Sequence, residues 1–437
     1  MWLQVIAGPS IAARPTNPRH AALALGRGRI LASDGSALAV SRGTVRVYPQ
    51  GAVLAQPVGY ASARFGTSGL EDAFDTLLSA HADAVDPLSQ LRQMFSRRSG
   101  PARGADIVTT LDLRIQNALV AGLSRYARAA GVALDPRTGA VLALASVPSY
   151  DPNRLEALWP SLLHDPASPL LDRSIAGLYP PGSTFKIVTA ADALDIGVVS
   201  AASTFTDRGG FTIGTFTVVN DEEEVTGTQD LAGAFALSSN VDFAQIALRI
   251  GVDRWFDYAA KWGLGGDEEF DLPVARDRIP PKGTVSQSIL AQLGFGQASL
   301  LVTPMRMALI GATIAAGGST PRPYLVRAIG GNGTARPETL AQPIAAETAR
   351  QMRDLMIGVV AHGTGTAAQL AGVTVAGKTG TATNPHGRSH AWFVAFAPAE
   401  APRVTVAVVI ENVGYGGTYA APVARDVLRV ALARPRT

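Results

Sequence analysis

Three short strings carry the reactive side chains of this 437-residue sequence: Ser183-Thr184-Phe185-Lys186, Ser238-Ser239-Asn240 and Lys378-Thr379-Gly380-Thr381. Residues three apart share a helix face, so Lys186 can bring its amine to the Ser183 hydroxyl and take the proton as the oxygen attacks a carbonyl. Pro180, Pro181 and Gly182 precede the serine and residues 185–194 are helix-compatible, which sets Ser183 at a helix N-terminus, where developing negative charge is favoured. Phe185 and Ile187 supply apolar surroundings for the amine. Ser238, in a segment of loop-to-helix character, could relay a proton to a leaving amine, and Asn240 could hold a substrate amide. Lys378 follows the strand-like run 373–377. A strand there can hydrogen-bond an extended peptide along its edge while Lys378 and Thr379 hold a carboxylate, and Gly380 leaves room for close backbone approach. The set describes a serine enzyme that works through an acyl intermediate.

The rest of the composition sharpens this reading. Only Lys186, Lys261, Lys282 and Lys378 are lysines, leaving 34 of the 38 basic residues as arginine. A guanidinium stays protonated at any working pH, whereas a desolvated ammonium can give up its proton and act as a base. Lysine at position 186 is therefore chemically demanded. No cysteine is present, which removes disulfides, thiolate metal sites and thiol catalysis, and the motifs call for neither metal nor cofactor. The net charge of +3 comes from scattered arginines, so no nucleic-acid partner is expected; the charge mildly suits an anionic wall or membrane surface.

The elements that must position these residues fall into two domains, the default for a chain of this length. Residues 1–105 read as short extended pieces with glycine turns, among them a hairpin at Asp34-Gly35, an alternating Val45, Val47, Tyr48 stretch and a helix from Ser68 to Leu78. The Arg-, Gly- and Pro-rich stretch 96–104 marks the boundary. Residues 106–437 alternate apolar strands and helices: a strand at 107–111, a helix over 112–130, a hairpin of 131–135 with 141–145, a strand pair at 392–397 and 404–410, and a last helix over 422–433. Strands at both ends of a domain with helices between them predict an α+β fold, a sheet sandwiched by helices. The opening stretch 1–13, interrupted by Pro9 and followed by Pro15 and Pro18, is too short for a membrane span.

Beyond the three strings, the chain carries Thr110-Leu111-Asp112 with Gln116, Leu134-Asp135-Pro136 with Gly139, and Ser149-Tyr150-Asp151-Pro152-Asn153. It also has Gly294-Phe295-Gly296-Gln297 with Thr303-Pro304, Gly363-Thr364-Gly365, Ala391-Trp392-Phe393, and Gly416-Gly417 with Ala420-Ala421-Pro422. In these motifs it resembles a class B penicillin-binding protein of the short actinobacterial type over nearly its whole length. The resemblance implies the penicillin-binding transpeptidase fold with a small, β-rich, non-catalytic N-terminal pedestal or dimerisation module. It implies D,D-transpeptidation of peptidoglycan stem peptides ending in D-Ala-D-Ala, with Ser183 as nucleophile, the backbone N–H groups of Ser183 and Thr381 as oxyanion hole, and acylation by β-lactams. It further implies a membrane glycan polymerase of the shape and division family as partner, and a place at the outer face of the cytoplasmic membrane. The family's N-terminal anchor is expected to be missing from this chain. Val241 stands where the family often has Thr, a departure expected to matter little.

A serine β-lactamase would share the acylation apparatus but needs a hydrolytic base, for which Glu268 and Glu269 are available by residue type. A non-enzymatic penicillin sensor or scaffold would not need the intact set of reactive residues, and a carboxypeptidase would differ only in its acceptor. The acidic run 221–224 and the loop 265–271 read as solvated surface.

Overall fold

The computed structural model describes residues 26–79, 103–333, 337–384 and 387–433. The opening stretch 1–13 and most of the 96–104 linker lie outside the described residues.

Strands β1 (Ile30–Leu31) and β2 (Ala37–Arg42) pair antiparallel around the Asp34-Gly35 turn, where Gly35 takes φ +86°, and β3 (Val45–Val47) adds to β2. The helix expected from Ser68 is broken at Phe74 into Gly69–Ala73 and Asp75–Leu78, and the Ser68 hydroxyl accepts from the Tyr60 amide rather than capping it. Strand β4 (Ile107–Thr109) lies parallel beside β1. Helix α1 (Leu113–Leu123) is capped by Asp112 and ends well short of the expected 130, because Ala129–Leu134 is strand β5, buried at all six positions. A strand covered on both faces has no polar alternation, so its apolar run reads as a continuation of the helix. Strand β6 (Val141–Val147) completes the expected hairpin. Then follow α2 (Lys186–Ile196), α3 (Asn240–Ile250), α4 (Pro304–Ala315), β7 (Val326–Ile329), β8 (Asn332–Gly333), α5 (Ala346–Ala361), β9 (Ala376–Ala382), β10 (His390–Ala397), β11 (Val404–Ile410) and α6 (Gly416–Leu432). The last helix starts six residues earlier than expected, with Pro422 inside it.

Strands β9, β10, β11, β5 and β6 form, in that order, an antiparallel sheet with β9 on one edge. Alternate side chains point to opposite faces. Ala133, Phe393, Val406 and Val408 pack with Ile115 and Leu119 of α1 and Val423 and Val427 of α6. Val132, Trp392, Val394 and Val409 pack with Met305 and Leu309 of α4. The domain is therefore the α+β sandwich expected. A second sheet, ordered β8, β7, β4, β1, β2 and β3, joins the β-rich N-terminal module to a hairpin from the larger domain. Two carboxamides tie the parts further. Gln116 donates to the carbonyls of Val53 and Leu144, and Asn153 both accepts from the Tyr48 amide at 2.9 Å and donates to its carbonyl at 2.8 Å. Among the described residues no helix is long and apolar enough to cross a membrane.

The loop 265–271 corrects the expectation of a solvated segment. Glu268 is buried and paired with Arg306 at 2.9 Å, and that guanidinium also holds Asp277 at 2.7 Å. Asp271 accepts from the amides of Leu325 and Val326. Asp267 and Glu269 are the exposed members.

Candidate active site

Residues Gly182–Phe185 form a 3-10 turn that runs directly into α2, so Ser183 sits at a helix start as expected. The turn is pressed onto edge strand β9. A Cβ on Gly182, at φ +53°, would lie 2.6 Å from the Thr381 carbonyl oxygen, and one on Gly380 would lie 2.8 Å from Cγ2 of Thr184. The close approach that Gly380 permits is that of the serine turn itself. It brings Ser183, Thr379 and Thr381 to one cavity of about 490 Å³, which Ser238 and Thr364 also line. Ser183 is 8% exposed, and its hydroxyl has no hydrogen-bond partner among the described residues.

Behind that cavity stand both motif lysines, each fully buried. Lys186 Nζ donates to the Ser238 carbonyl at 2.5 Å, to Asn240 Oδ1 at 2.8 Å and to Ser238 Oγ at 3.2 Å. Lys378 Nζ donates to the same Ser238 Oγ at 2.8 Å. The two amines thus meet at one hydroxyl. Each also stands 5.5 Å from an aromatic ring, Lys186 over Phe243 and Lys378 over Phe235, which favours cation character without supplying a counter-charge. Desolvation dominates: it pulls Lys186 down to about 7, against the upward pull of Asp221 and Asp242. Burial, then the neighbouring Lys186, pushes Lys378 well below the usual lysine range. Two full charges sharing one neutral oxygen is the state that burial disfavours most.

The backbone enforces this meeting point. Ser239 caps α3, its hydroxyl accepting from the Asp242 amide, while Ser238 takes φ +64°, the left-handed region that non-glycine residues seldom adopt. Both the carbonyl and the hydroxyl of Ser238 consequently face Lys186. Asn220 pins the adjoining loop to α3 by accepting from the amides of Asn240 and Val241 at 2.7 and 3.2 Å.

All eight residues singled out in the sequence come together, but not on one surface. Ser183, Ser238, Thr379 and Thr381 line the cavity, while Lys186, Asn240, Lys378 and Gly380 lie behind or beneath it. The Lys186 amine is bonded to Ser238 and Asn240, not to Ser183. Lys378 sits behind Ser238, so a carboxylate in the cavity meets hydroxyls first. Residues without a sequence role also belong here: Thr364, whose hydroxyl is 2.5 Å from that of Thr379, Asn220, and Tyr415. Asp221, Glu222 and Glu224 line the same cavity, and the run 221–224 is exposed, as the solvated-surface reading expected. Their place in one cavity with Ser183 is made by chain reversals that no local string encodes.

Residues 129–429 match the penicillin binding protein transpeptidase domain, and residues 27–106 match the penicillin binding protein A dimerisation domain. The chain belongs to the penicillin-binding protein transpeptidase family. It is 36% identical to the peptidoglycan D,D-transpeptidase PbpA of Mycobacterium tuberculosis, over 93% of this chain and 89% of that one. Penicillin-binding protein A from the same organism, solved as its penicillin G acyl-enzyme complex, superposes with a TM-score of 0.86 at 35% identity, covering 93% of this chain and all of that one. The D,D-transpeptidase domain of a peptidoglycan glycosyltransferase from Eggerthella lenta gives 0.83 at 36% identity, covering 93% and 98%. The chain is thus a penicillin-binding protein A-like class B enzyme, a peptidoglycan D,D-transpeptidase of the serine acyl-enzyme type. Of the two glutamates available to a β-lactamase reading, Glu268 is held by Arg306 at 2.9 Å and Glu269 lies exposed beside Arg322 at 3.4 Å.

Proposed function

We propose that Ser183 attacks the carbonyl between the two terminal D-alanines of a peptidoglycan stem peptide. The observation that carries this assignment is the unpartnered Ser183 hydroxyl in one cavity with Ser238, whose oxygen joins two buried amines. The Ser183 Oγ–carbon bond forms as Lys186, in its neutral form, takes the hydroxyl proton. Ser238, accepting from the lysines, keeps its own proton free to pass to the nitrogen of the departing D-alanine. Lys378 acts through Ser238, and the hydroxyls of Thr379 and Thr381 receive the substrate carboxylate ahead of it. The backbone N–H groups of Ser183 and Thr381 serve as the oxyanion hole. Asn240 orients Lys186 through Oδ1 and has a side-chain N–H left for a substrate amide. The acyl group then passes to an amine of a neighbouring strand, and β-lactams acylate Ser183 as mimics of the donor.

Intact-mass spectrometry after incubation with penicillin tests this, with the adduct mapped by peptide. A persistent adduct on Ser183 is expected; an adduct elsewhere, or rapid return to the native mass with hydrolysed drug, refutes the assignment. In this reading residues 1–105 form a pedestal and the contact with a membrane glycan polymerase, at the outer face of the cytoplasmic membrane. A reconstituted polymerase whose rate is indifferent to this chain would overturn that contact, and labelling by an impermeant reagent on intact cells tests the location.

A further inference from the structure

Close to the two motif lysines lies a buried acid that acylation, as assigned above, does not use. Asp242 stands in the first turn of α3 and is fully buried, and neither of its carboxylate oxygens has a hydrogen-bond partner of good geometry among the described residues. A helix start by itself favours an acid, but such acids ordinarily keep their oxygens in water or on the free end amides. Here the end amides are taken. Ser239 Oγ accepts from the Asp242 amide at 3.1 Å, and Asn220 Oδ1 accepts from the amides of Asn240 and Val241 at 2.7 and 3.2 Å. The carboxylate is left to act through its charge, and the residues around it in α3 hold the base: Asn240 Oδ1 accepts from Lys186 Nζ at 2.8 Å, and the Phe243 ring lies 5.5 Å from that amine.

The charged groups about Asp242 single out one partner. From α2 comes Lys186, whose three hydrogen bonds all go to neutral oxygens, so its ammonium form depends on charge at longer range. The other acids of α2, Asp192 and Asp195, are bonded to Trp262 and Tyr258. The strand Thr204–Asp207 brings Asp207, a like charge already held by Gly209, Asn220 and Thr226. The helix Gln287–Leu293 and the strand Phe216–Val218 carry no ionisable group, and the charged side chains of the helix Val252–Lys261 are exposed. On α3 itself Arg249 lies over the Phe205 ring at 4.8 Å. Burial pushes the Asp242 carboxyl above the usual range; Ser239 and Lys186 pull it down, and Asp207 adds to the rise. Two acids draw Lys186 toward its protonated form, Asp221 from the cavity side, where it is exposed and screened, and Asp242 from within the protein.

We propose that Asp242 is a positioning residue for acylation, its buried carboxylate serving as the counter-charge to the ammonium that Lys186 becomes on taking the Ser183 proton. The inference rests on Lys186 being the base, as proposed above, and adds the charge that lets a buried amine accept a proton. Lys186 passes from neutral to +1 as the Oγ–carbon bond forms. It returns to neutral by reprotonating Ser238, once that hydroxyl has given its own proton to the departing nitrogen. Asp242 takes no proton and stays an anion throughout. A buried ammonium beside a second buried amine is costly, and a fixed anion needs no reorganisation as the charge appears.

The test follows acylation of the whole chain by penicillin G in stopped flow from about pH 5.5 to about pH 9, separating the first-order acylation constant from the dissociation constant of the drug. In Asp242→Asn the acid limb of the acylation constant should move to lower pH by about half a unit or more, and its limiting value should fall about tenfold, with the dissociation constant unchanged. Asp242→Ala should show the same shifted limb. A first-order constant is read from the folded molecules alone, so it stands even where a variant folds in part. The thermal melt of Asp242→Asn should equal or exceed that of the wild type, because a neutral amide costs less to bury than a carboxylate. A lowered melt with the acid limb in place would mark a purely structural or helix-dipole role and overturn the inference, as would a loss confined to the dissociation constant. Acylation of Lys186→Met at the wild-type rate would instead sink the base assignment, and the inference with it.

Discussion

Two buried charge clusters divide the labour of this molecule. In the N-terminal module Arg27 and Arg46 grip opposite oxygens of Glu71 at 2.5 and 2.6 Å, and Asp75 takes the other edge of Arg27 at 2.5 Å. Two cations face two anions, and the cluster is electrically closed. In the transpeptidase cleft Lys186 and Lys378 are equally buried, but what they share is a neutral hydroxyl. The first arrangement holds charge in place; the second makes it easy to shed. Side-chain chemistry follows the same division, with arginine where a fixed fork is wanted and lysine where a proton must move.

The contrast is broken most completely at the nucleophile. Ser183→Ala should abolish covalent penicillin labelling while leaving the thermal melt unchanged; labelling at another residue would contradict the assignment. Next, Lys186→Arg keeps the charge and removes the base, so the acylation rate followed by stopped flow should fall about 10²- to 10⁴-fold. An unimpaired rate would show that the buried amine is not the base. Glu71→Gln probes the closed cluster and should cost about 3–5 kcal/mol of stability in denaturant titration, by leaving two guanidiniums short of counter-charge, with the acylation rate of the folded protein unchanged. A loss of only a few tenths would mean that the module tolerates open charge as well as the cleft does.

The smallest effect is a pH slope. Unfolded Lys186 holds its proton up to the ordinary lysine value of 10.5, whereas the folded residue releases it near 7. The unfolded state therefore binds more protons between these values, and stability should rise with pH across that window by up to about 1.4 kcal/mol per unit. Lys186→Met should reduce the slope, with the buried Lys378 carrying the remainder, while Glu71→Gln should leave it in place. Equal slopes in wild type and Lys186→Met would refute the lowered proton affinity. Acylation should climb over the lower part of the same window as the amine becomes free.

The motifs were legible because each reactive residue lies in a string whose internal spacing survives in the fold, three residues along a helix start or consecutive along an edge strand. What spacing cannot reveal is direction. Lys186 leans to Ser238 and Asn240, and Lys378 stands behind Ser238, because Ser238 adopts a left-handed turn that its sequence does not announce. Glu268 and Glu222 show the same limit from the other side. Both sit in polar loops, yet one is locked under Arg306 and the other lines the cavity that holds Ser183, and only tertiary contacts distinguish them. The misread end of α1 has a different origin, since an apolar strand buried on both faces carries no period of its own.

The shared sheet gives the small module a mechanical meaning. Strand β4 lies between β1 of the module and β7 of the larger domain, and the carboxamides of Gln116 and Asn153 bolt the same junction. A hinge there would have to unzip a β-ladder and unfasten both side-chain amides at once. The module consequently behaves as a bracket rather than a tether: whatever grips it also sets the direction in which Ser183 faces.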